Sequence, residues 1–184
     1  MDANQNIRER RSIRKYRADA VTAEDLQKIV ETAAYAPSWT NSQTASYLAV
    51  LNKEKKEAIA EKVASMVSPR NGENIRSAAA VVLLLSENGK SGIRSATGKP
   101  LHEGLDQHWQ SFDAGIAAQT FCLAAHAYGL GTLIIGGFDE EGVKSVISIP
   151  ENHRIAALLA VGYPENQPAA PKRKSVEELL KIEE

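Results

Sequence analysis

The chain has little cysteine, few aromatic residues and no excess of charge of either sign. Its single cysteine excludes an internal disulfide, and the place of Cys122 in the apolar stretch FCLAAHAY predicts a buried thiol without a chemical role. Because 22 Lys and Arg residues nearly balance 23 Asp and Glu residues, no overall field would attract nucleic acid or an anionic membrane. Any anion site must therefore be local.

Long apolar runs are also missing. None approaches the roughly 20 residues that a membrane helix needs, and the opening MDANQNIRERR lacks the apolar stretch of a signal peptide. We therefore expect a soluble cytoplasmic protein. A length of 184 residues with 43% hydrophobic content suits one buried core, so we place a single domain over residues 1–184.

Apolar periodicity predicts where helices and strands lie. Thr22 and Asp25 resemble a capping box, and apolar residues then recur at helical spacing until Pro37. The predicted helices cover 23–36, the region of Ile59, Val63 and Met66, 105–128, a short stretch between Asp139 and Pro150, and the tail SVEELLKIEE. The predicted strands cover 46–51, 78–86, 132–135 and 154–163. Because strands and helices do not alternate strictly, we expect an α+β sandwich and not a doubly wound parallel sheet.

Two polar segments are predicted to be loops. Residues 87–104 are rich in Gly, Ser and Lys, which predicts a long surface loop that moves and lines a site. The segment PSWTNSQ (37–43) offers hydrogen bonds from side chains and a flat face from Trp39. Its amides and hydroxyls, on Ser38, Asn41 and Gln43, suit the carbonyl and imide edge of a heteroaromatic ring better than a metal. Ordinary loop composition also explains this string.

The segment RERRSIRKYR (8–17) concentrates six basic residues and one acidic residue in a nearly neutral chain. A solvated helix end, contact with nucleic acid and the binding of one compact anion all explain such a cluster. The alternation of Arg10, Ser12 and Arg14 favours the anion, because an extended segment would present all three donors on one side. A second cluster in the tail, Lys172, Arg173 and Lys174, is by itself explained as surface charge, but the two clusters together could converge on one phosphate.

A pair of glycines, Gly136 and Gly137, follows the apolar stretch TLII. Paired glycines at the end of a strand let a planar ligand lie against backbone N–H groups, although a plain turn explains them equally well. The stretch GLGTLI does not fit the nucleotide-binding motif of a Rossmann dehydrogenase, because the third glycine is missing and the stretch follows a predicted helix instead of a strand.

Together, these elements resemble the nitroreductase family of flavoproteins. RRSIRKY resembles its opening R-x-S-x-R/K-x-F/Y segment, and APSWTNSQ resembles A-P-S-x-x-N-x-Q. GLGTLIIGGFDEEGVKSVISIPENHRIAALLAVGYP resembles its glycine-bearing strand, short helix and G-Y-P strand, and PKRKSVEEL resembles its basic tail. The resemblance spans nearly the whole chain. It implies a mostly antiparallel central sheet flanked by helices and an intertwined homodimer with FMN at the subunit interface.

The resemblance also implies a role for each candidate residue. Arg10, Arg11, Ser12 and Arg14 would hold the FMN phosphate, ribityl chain and pyrimidine edge, with Arg14 near N1 and O2. Lys172 and Lys174 would complete the phosphate site, and the N–H groups of Gly136 and Gly137 would face N5 and O4. The partner subunit would supply Ser38, Trp39 and Asn41, with Gln43 in the same loop. Asn71, in SPRNGEN, is a looser match.

The implied activity is ping-pong hydride transfer from NADH or NADPH through FMN to nitroaromatics, quinones or activated alkenes. No side chain is needed as an acid or base, and we expect no metal; the four histidines, His102, His108, His126 and His153, are scattered. Thr44 and Ala45 stand where the family often has Pro-Trp, so the resemblance does not predict the shape of the substrate pocket. An FMN-binding sensor or storage protein without turnover, and a nucleic-acid binder, are the alternatives.

Overall fold

The computed structural model describes residues 2–66, 69–94, 96–102 and 108–184. Its helices are α1 (Ala3–Glu9), α2 (Ala23–Ala33), α3 (Lys53–Met66), α4 (Pro69–Ser77), α5 (His108–Ala127), α6 (Glu140–Val146) and α7 (Val176–Leu179). Its strands are β1 (Ala45–Val50), β2 (Ala80–Glu87), β3 (Gly131–Ile135) and β4 (His153–Gly162). A single 3-10 turn, Trp39–Asn41, precedes β1.

The four strands form one antiparallel sheet in the order β1-β2-β4-β3. At the centre, Leu83 of β2 lies opposite Leu48 of β1 on one side and Leu158 of β4 on the other. The two central strands are almost continuously buried, as a run of Ala, Val and Leu predicts for strands covered on both faces. The edges of the sheet are β1 and β3.

Helices cover both faces of the sheet. On one face α2 and α5 pack against β2 and β4, and Ile29 and Phe121 are completely buried there. On the other face α3, α4 and α6 form a second apolar layer around Ile59, Ile75 and Val143. Full burial of each such side chain contributes about 1.5–3 kcal/mol, so these two layers hold the sheet between them. The α+β sandwich with a mostly antiparallel sheet is confirmed.

Helix α2 begins as predicted and ends earlier. Thr22 Oγ1 accepts a hydrogen bond from the Asp25 amide at 3.1 Å, and Asp25 Oδ2 accepts one from the Thr22 amide at 2.9 Å, which completes the capping box. The helix ends at Ala33 and not at residue 36, because the residue before Pro37 is disfavoured in the helical conformation. The chain leaves through short turns at Tyr35 and Ala36.

Helix α5 crosses the α2 face of the sheet and ends at Ala127, one residue before the predicted end, with Gly129 as the predicted C-terminal stop. Gly129 has a φ of 80°, and the Leu130 amide donates to the Ala125 carbonyl at 2.9 Å, a helix ending that favours glycine. The prediction began this helix at residue 105, but 103–107 lie outside the described residues. Small residues on α5 let the sheet and α2 approach closely.

Three helices differ from the sequence-based expectation. Helices α1 and α4 were not predicted, because their few apolar residues show no helical stripe. In the tail, the predicted helix over SVEELLKIEE shortens to the four residues of α7, which Ser175 and Glu178 cap. The apolar side chains of this tail are exposed in the single chain: Val176, Leu179, Leu180 and Ile182.

Candidate functional site

The basic segment after α1 runs extended along the edge of the sheet. Ser12 forms a parallel bridge with Thr132 of β3, and the Ile13 amide donates to the Thr132 carbonyl at 2.9 Å. Ile13 points into the core and is 3% exposed, so its neighbours Ser12 and Arg14 lie on the opposite side of the segment. The predicted extended conformation, with alternate residues on one side, is confirmed.

The predicted arginines and serine meet in one cleft of about 340 Å³, which we call the arginine cleft. It is lined by Arg10, Arg11, Ser12, Arg14, Pro168, Ala169, Pro171 and Arg173. This lining offers four guanidinium groups and one hydroxyl and contains no carboxylate, so its chemistry fits a phosphate dianion. The Arg11 Nη1 donates to the carbonyls of Arg8 and Arg10, while its buried Nε has no hydrogen-bond partner among the described residues.

The tail reaches the cleft through the middle residue of the predicted basic cluster. Lys172, Arg173 and Lys174 are all exposed, but only Arg173 lines the arginine cleft. Gln167 fixes the start of the tail, because its side-chain amide donates to the Glu9 carbonyl at 2.7 Å. Pro168 and Pro171 restrict the chain between these two contacts.

Loop 38–43 has an unusual backbone. Thr40, Asn41 and Gln43 have φ angles of 44°, 57° and 49°, in the left-handed region that residues other than glycine seldom adopt. Ser38 Oγ accepts a hydrogen bond from the Gln43 amide at 2.9 Å, which closes the loop. The loop leaves Asn41 and Gln43 exposed and Ser38 and Trp39 half-buried. Such strain persists only where surrounding contacts impose it, and it is frequent at ligand-binding sites.

Those surrounding contacts come from α5. The buried carboxylate of Asp113 accepts the Trp39 amide hydrogen, with both oxygens 3.0 Å from the nitrogen. The ring of Trp39 packs on Trp109, with centroids 4.7 Å apart, and Trp109 in turn contacts His108 and Phe112. Loop 38–43 is therefore held by one buried charge and one aromatic cluster on the same helix.

The predicted glycines lie at the far end of β3 from the arginine cleft. Gly136 lines a second cleft of about 280 Å³ between α5 and the sheet, here called the helix–sheet cleft, and Gly137 follows it. Gly136 is four positions after Thr132, the residue beside Ser12, and four positions correspond to about 13 Å along a strand. Ile134 between them is 45% exposed. An elongated ligand with a phosphate at one end and a ring at the other would follow this edge.

Not all of the predicted residues come together in one chain. Ser38 and Gln43 line a third cleft of about 280 Å³ beside α2 and β1, and loop 38–43 contributes to neither of the two clefts along β3. Asn71 lies on α4, in the layer on the opposite face of the sheet from α5, and lines none of these clefts. One chain therefore assembles the basic residues and the glycines, but not the whole set.

A membrane-spanning helix and a metal cluster are both absent from the described ranges. No helix there is long and apolar enough to cross a bilayer. Within the same ranges, His, Cys, Asp and Glu side chains form no group of three that could hold a metal ion.

Comparison with known proteins decides the family. The profile of the Nitroreductase family matches residues 7–163, which include the basic segment, loop 38–43, both glycines and all four strands. The chain belongs to the nitroreductase family. A relative from Methanothermobacter thermautotrophicus is 30% identical, and the alignment covers 91% of this chain and 80% of the relative. Its name gives NADH dehydrogenase and NAD(P)H nitroreductase as candidate activities. An FMN reductase [NAD(P)H] from Bacillus subtilis is 28% identical, with 91% and 68% covered.

Solved nitroreductase structures show the same architecture. NfrA2 of B. megaterium is 28% identical with a TM-score of 0.82, and the match covers all of this chain and 75% of that one. A structure from Desulfovibrio desulfuricans, solved in complex with FMN, is 25% identical with a TM-score of 0.77 and covers 100% and 98% of the two chains.

In this nitroreductase three polar residues lie next to the predicted site residues although the sequence assigned them no individual role. Arg173 was predicted only as part of the cluster 172–174, and of that cluster it alone lines the arginine cleft. Asp113 is the one acidic residue in the largely apolar stretch FDAGIAAQTF, which is the sequence signal for it. His126 lies beside Arg10 and Arg11, and burial together with the Arg10 charge lowers the pKa of its imidazole, which favours the neutral form.

Proposed function

We propose that this protein is an NAD(P)H-dependent FMN oxidoreductase that works by ping-pong turnover. The observation that carries the proposal is the arginine cleft, where four guanidinium groups and a hydroxyl surround a space without any acidic lining residue. The names of relatives that reduce FMN with NAD(P)H, and the structural neighbour that contains FMN, support the same chemistry. The bound FMN would supply the hydride chemistry, and the protein would hold it and set its electrostatic surroundings.

Each part of the site has a defined task in this proposal. Arg10, Arg11, Ser12 and Arg173 would bind the phosphate, and prolines in the tail would limit the entropy lost on binding. Arg14 would stabilise the negative charge that develops at the pyrimidine edge during reduction, since a nearby cation favours the charged form. Backbone N–H groups of Gly136 and Gly137 would contact the ring, and no heavy atom lies within 4 Å of the Cβ position of Gly136 to block the approach.

The proposal includes a homodimer with two shared sites. Loop 38–43 lies away from the arginine cleft of its own chain, so its Ser38, Trp39, Asn41 and Gln43 would serve the partner subunit's site. Exposed apolar residues are available for the interface: Phe112 on α5, Ile134 on β3, and Val176, Leu179, Leu180 and Ile182 in the tail. Two-fold symmetry would generate two equivalent sites.

The remaining assignments complete the proposal. Lys172 and Lys174 would strengthen the field around the phosphate without lining its cleft, and Asn71 rests on the sequence resemblance alone. Nitroaromatics, quinones and activated alkenes are the proposed acceptors. We also propose that one domain spans residues 1–184 and that the enzyme works in the cytoplasm, without nucleic acid or membrane partners.

The test of the function begins with the pigment of the purified protein, reconstituted with flavin if necessary. We expect heat to release FMN and not FAD, as shown by chromatography. Anaerobic addition of NADH or NADPH should bleach the bound flavin, and a quinone or nitroaromatic should restore its colour repeatedly. A protein that binds FMN but is not bleached by either nicotinamide would be the sensor or storage protein. A protein that takes up no FMN at all would remove the proposal altogether.

A further inference from the structure

Asp113 is a buried acid whose described partners are neutral hydrogen-bond donors. It is 3% exposed on α5, and its Oδ1 and Oδ2 both lie 3.0 Å from the Trp39 amide nitrogen. The Ser91 hydroxyl donates to Oδ2 at 2.6 Å, and the Ser42 hydroxyl lies at the limit of hydrogen bonding, 3.5 Å away. Burial of a carboxylate is unfavourable, and an apolar residue at this position would avoid that desolvation. Stability alone therefore does not account for the acid.

The acid acts on both sides of one loop. Its bond to the Trp39 amide fixes the start of the 3-10 turn, directly before Thr40 and Asn41 enter the left-handed region. Its contact with Ser42 fixes the other end of that turn. The backbone between these two points presents Asn41 to solvent, where a partner's ligand could reach it. Without the acceptor, the unfavourable φ angles at residues 40 and 41 would lose one of the contacts that hold them, beside the Ser38–Gln43 bond and the Trp39–Trp109 packing.

A second loop is attached to the same carboxylate. Ser91 is 2% exposed, so this part of 87–104 is buried and does not follow the prediction of a freely moving surface loop. Gly92 has a φ of 75°, and a Cβ added to it would lie 2.8 Å from Trp109 Cδ1. Residues 91 and 92 therefore fit closely against Asp113 and Trp109, the two groups on α5 that also hold loop 38–43.

We propose that Asp113 is a positioning residue for the flavin site, because it fixes loop 38–43 in its strained conformation and joins that loop to Ser91. The inference rests on the proposed function, in which loop 38–43 contacts FMN. It adds that the affinity for FMN depends on a buried carboxylate that acts through the loops it holds. Among the described residues, Asp113 is hydrogen-bonded to Trp39, Ser42 and Ser91.

The chain offers a direct spectroscopic probe of this arrangement. Its only two tryptophans are Trp39 and Trp109, whose rings lie 4.7 Å apart. Such a close pair gives an exciton couplet in the far-ultraviolet circular dichroism, and the couplet is lost when loop 38–43 leaves α5. The apoprotein can therefore be examined without flavin and without any activity assay.

The experiment compares three variants with a control of similar destabilisation. Asp113→Ala removes the acceptor from both loops; Asp113→Asn keeps one oxygen for the Trp39 amide; Ser91→Ala removes only the second loop's bond. Ile59→Ala creates a cavity on the opposite face of the sheet. For each variant we would measure the couplet of the apoprotein, the melting temperature and the dissociation constant of FMN by fluorescence titration.

We expect Asp113→Ala to lose the couplet and to weaken FMN binding about tenfold or more, as the loss of a buried charge-assisted hydrogen bond would do. Asp113→Asn should recover part of both signals, and Ser91→Ala should have the smallest effect. Ile59→Ala should lower the melting temperature while the couplet and FMN affinity stay unchanged.

A wild-type couplet and wild-type FMN affinity in folded Asp113→Ala would overturn the proposal. If that variant does not fold, Asp113→Asn and Ser91→Ala decide, and unchanged signals in both overturn it. If the wild-type protein binds no FMN, the proposed function fails by itself, and the flavin part of this inference fails with it. The couplet would then show separately whether Asp113 holds the loop.

Discussion

Ile13 and Gly131 are in such close contact that no side chain fits between them. A Cβ added to Gly131 would lie 2.5 Å from Ile13 Cγ1 and 2.8 Å from Ile13 Cβ. Ile13 is the buried member of the basic segment, so this contact sets how near Arg10 to Arg14 lie to the edge of the sheet. The smallness of residue 131 therefore determines the position of the arginine cleft.

We predict that Gly131→Ala displaces the basic segment and weakens FMN binding. Overpacking of this kind costs about 1–3 kcal/mol, and the shift separates Ser12 and Arg14 from the tail residues across the cleft. FMN affinity should fall about tenfold, measured by titration of the apoprotein, and the melting temperature should fall with it.

A second substitution tests the cause. Ile13→Ala in the Gly131→Ala background removes the Cγ atoms, two of the three crowding atoms, so the double variant should bind FMN more tightly than additivity of the single changes allows. Strict additivity in this double-mutant cycle would show that the two residues do not act through their contact.

We predict that Arg173 contributes more to FMN binding than either neighbouring lysine. Arg173 lines the arginine cleft, and a hydrogen bond between charged groups contributes about 1.5–3 kcal/mol. Arg173→Ala should therefore raise the dissociation constant of FMN roughly tenfold to a hundredfold. Lys172→Ala and Lys174→Ala remove the same charge nearby and are the matched controls.

The controls should have small effects that disappear as salt is added, because exposed charges act at long range and are screened. Titrations at low and high ionic strength distinguish the two classes of variant. If the lysine variants lose more FMN affinity than Arg173→Ala at high salt, this prediction is wrong. The phosphate contacts then come from Lys172 and Lys174, as the resemblance to the family's basic tail implies.

We predict that each site is built from two subunits, and a mixed dimer tests this. Arg14→Ala should slow flavin reduction, and Asn41→Gly removes the loop amide while glycine keeps the positive φ accessible. If each change inactivates the homodimer, a mixed dimer should contain one site with both lesions and one with neither. Co-expression with two tags and tandem purification would isolate this species.

The mixed dimer should recover about half of the wild-type activity and one normally reducible flavin, as two-fold symmetry requires. Stopped-flow reduction by NADH or NADPH would count the reducible flavins. A mixed dimer as inactive as its parents would mean that residues 14 and 41 serve the same subunit's site or that the two sites are strongly coupled.

Much of the fold was predictable because burial leaves a periodic pattern. The central strands are continuous apolar runs. Thr22 and Asp25 predict the start of α2, because a capping box needs only two polar residues three positions apart. By contrast, α4 buries Gly72, Asn74 and Ile75, a mixture without an apolar stripe, so its helical packing against α3 was not apparent. Tertiary contacts, and not apolar periodicity, determine whether such segments are helical.

The candidate site was predictable where its parts are local. Arg10, Ser12 and Arg14 share one side of an extended segment because residues at alternate positions always do. The role of Asp113 was not predictable, because its bonds join residues that are 74 and 22 positions away along the chain. In the same way, only the folded tail distinguishes Arg173 from the lysines on either side.

The extended basic segment has a consequence for solubility. Strand β3 is an edge of the sheet, and edge strands expose unpaired N–H and C=O groups that invite pairing with another molecule. Ser12 and Ile13 occupy part of this edge at Thr132, which blocks its pairing with a strand of another molecule. A chain lacking this segment would present unpaired backbone groups at Thr132, which are a template for aggregation. The segment that carries the arginines therefore also protects the edge of the sheet, even before any ligand is bound.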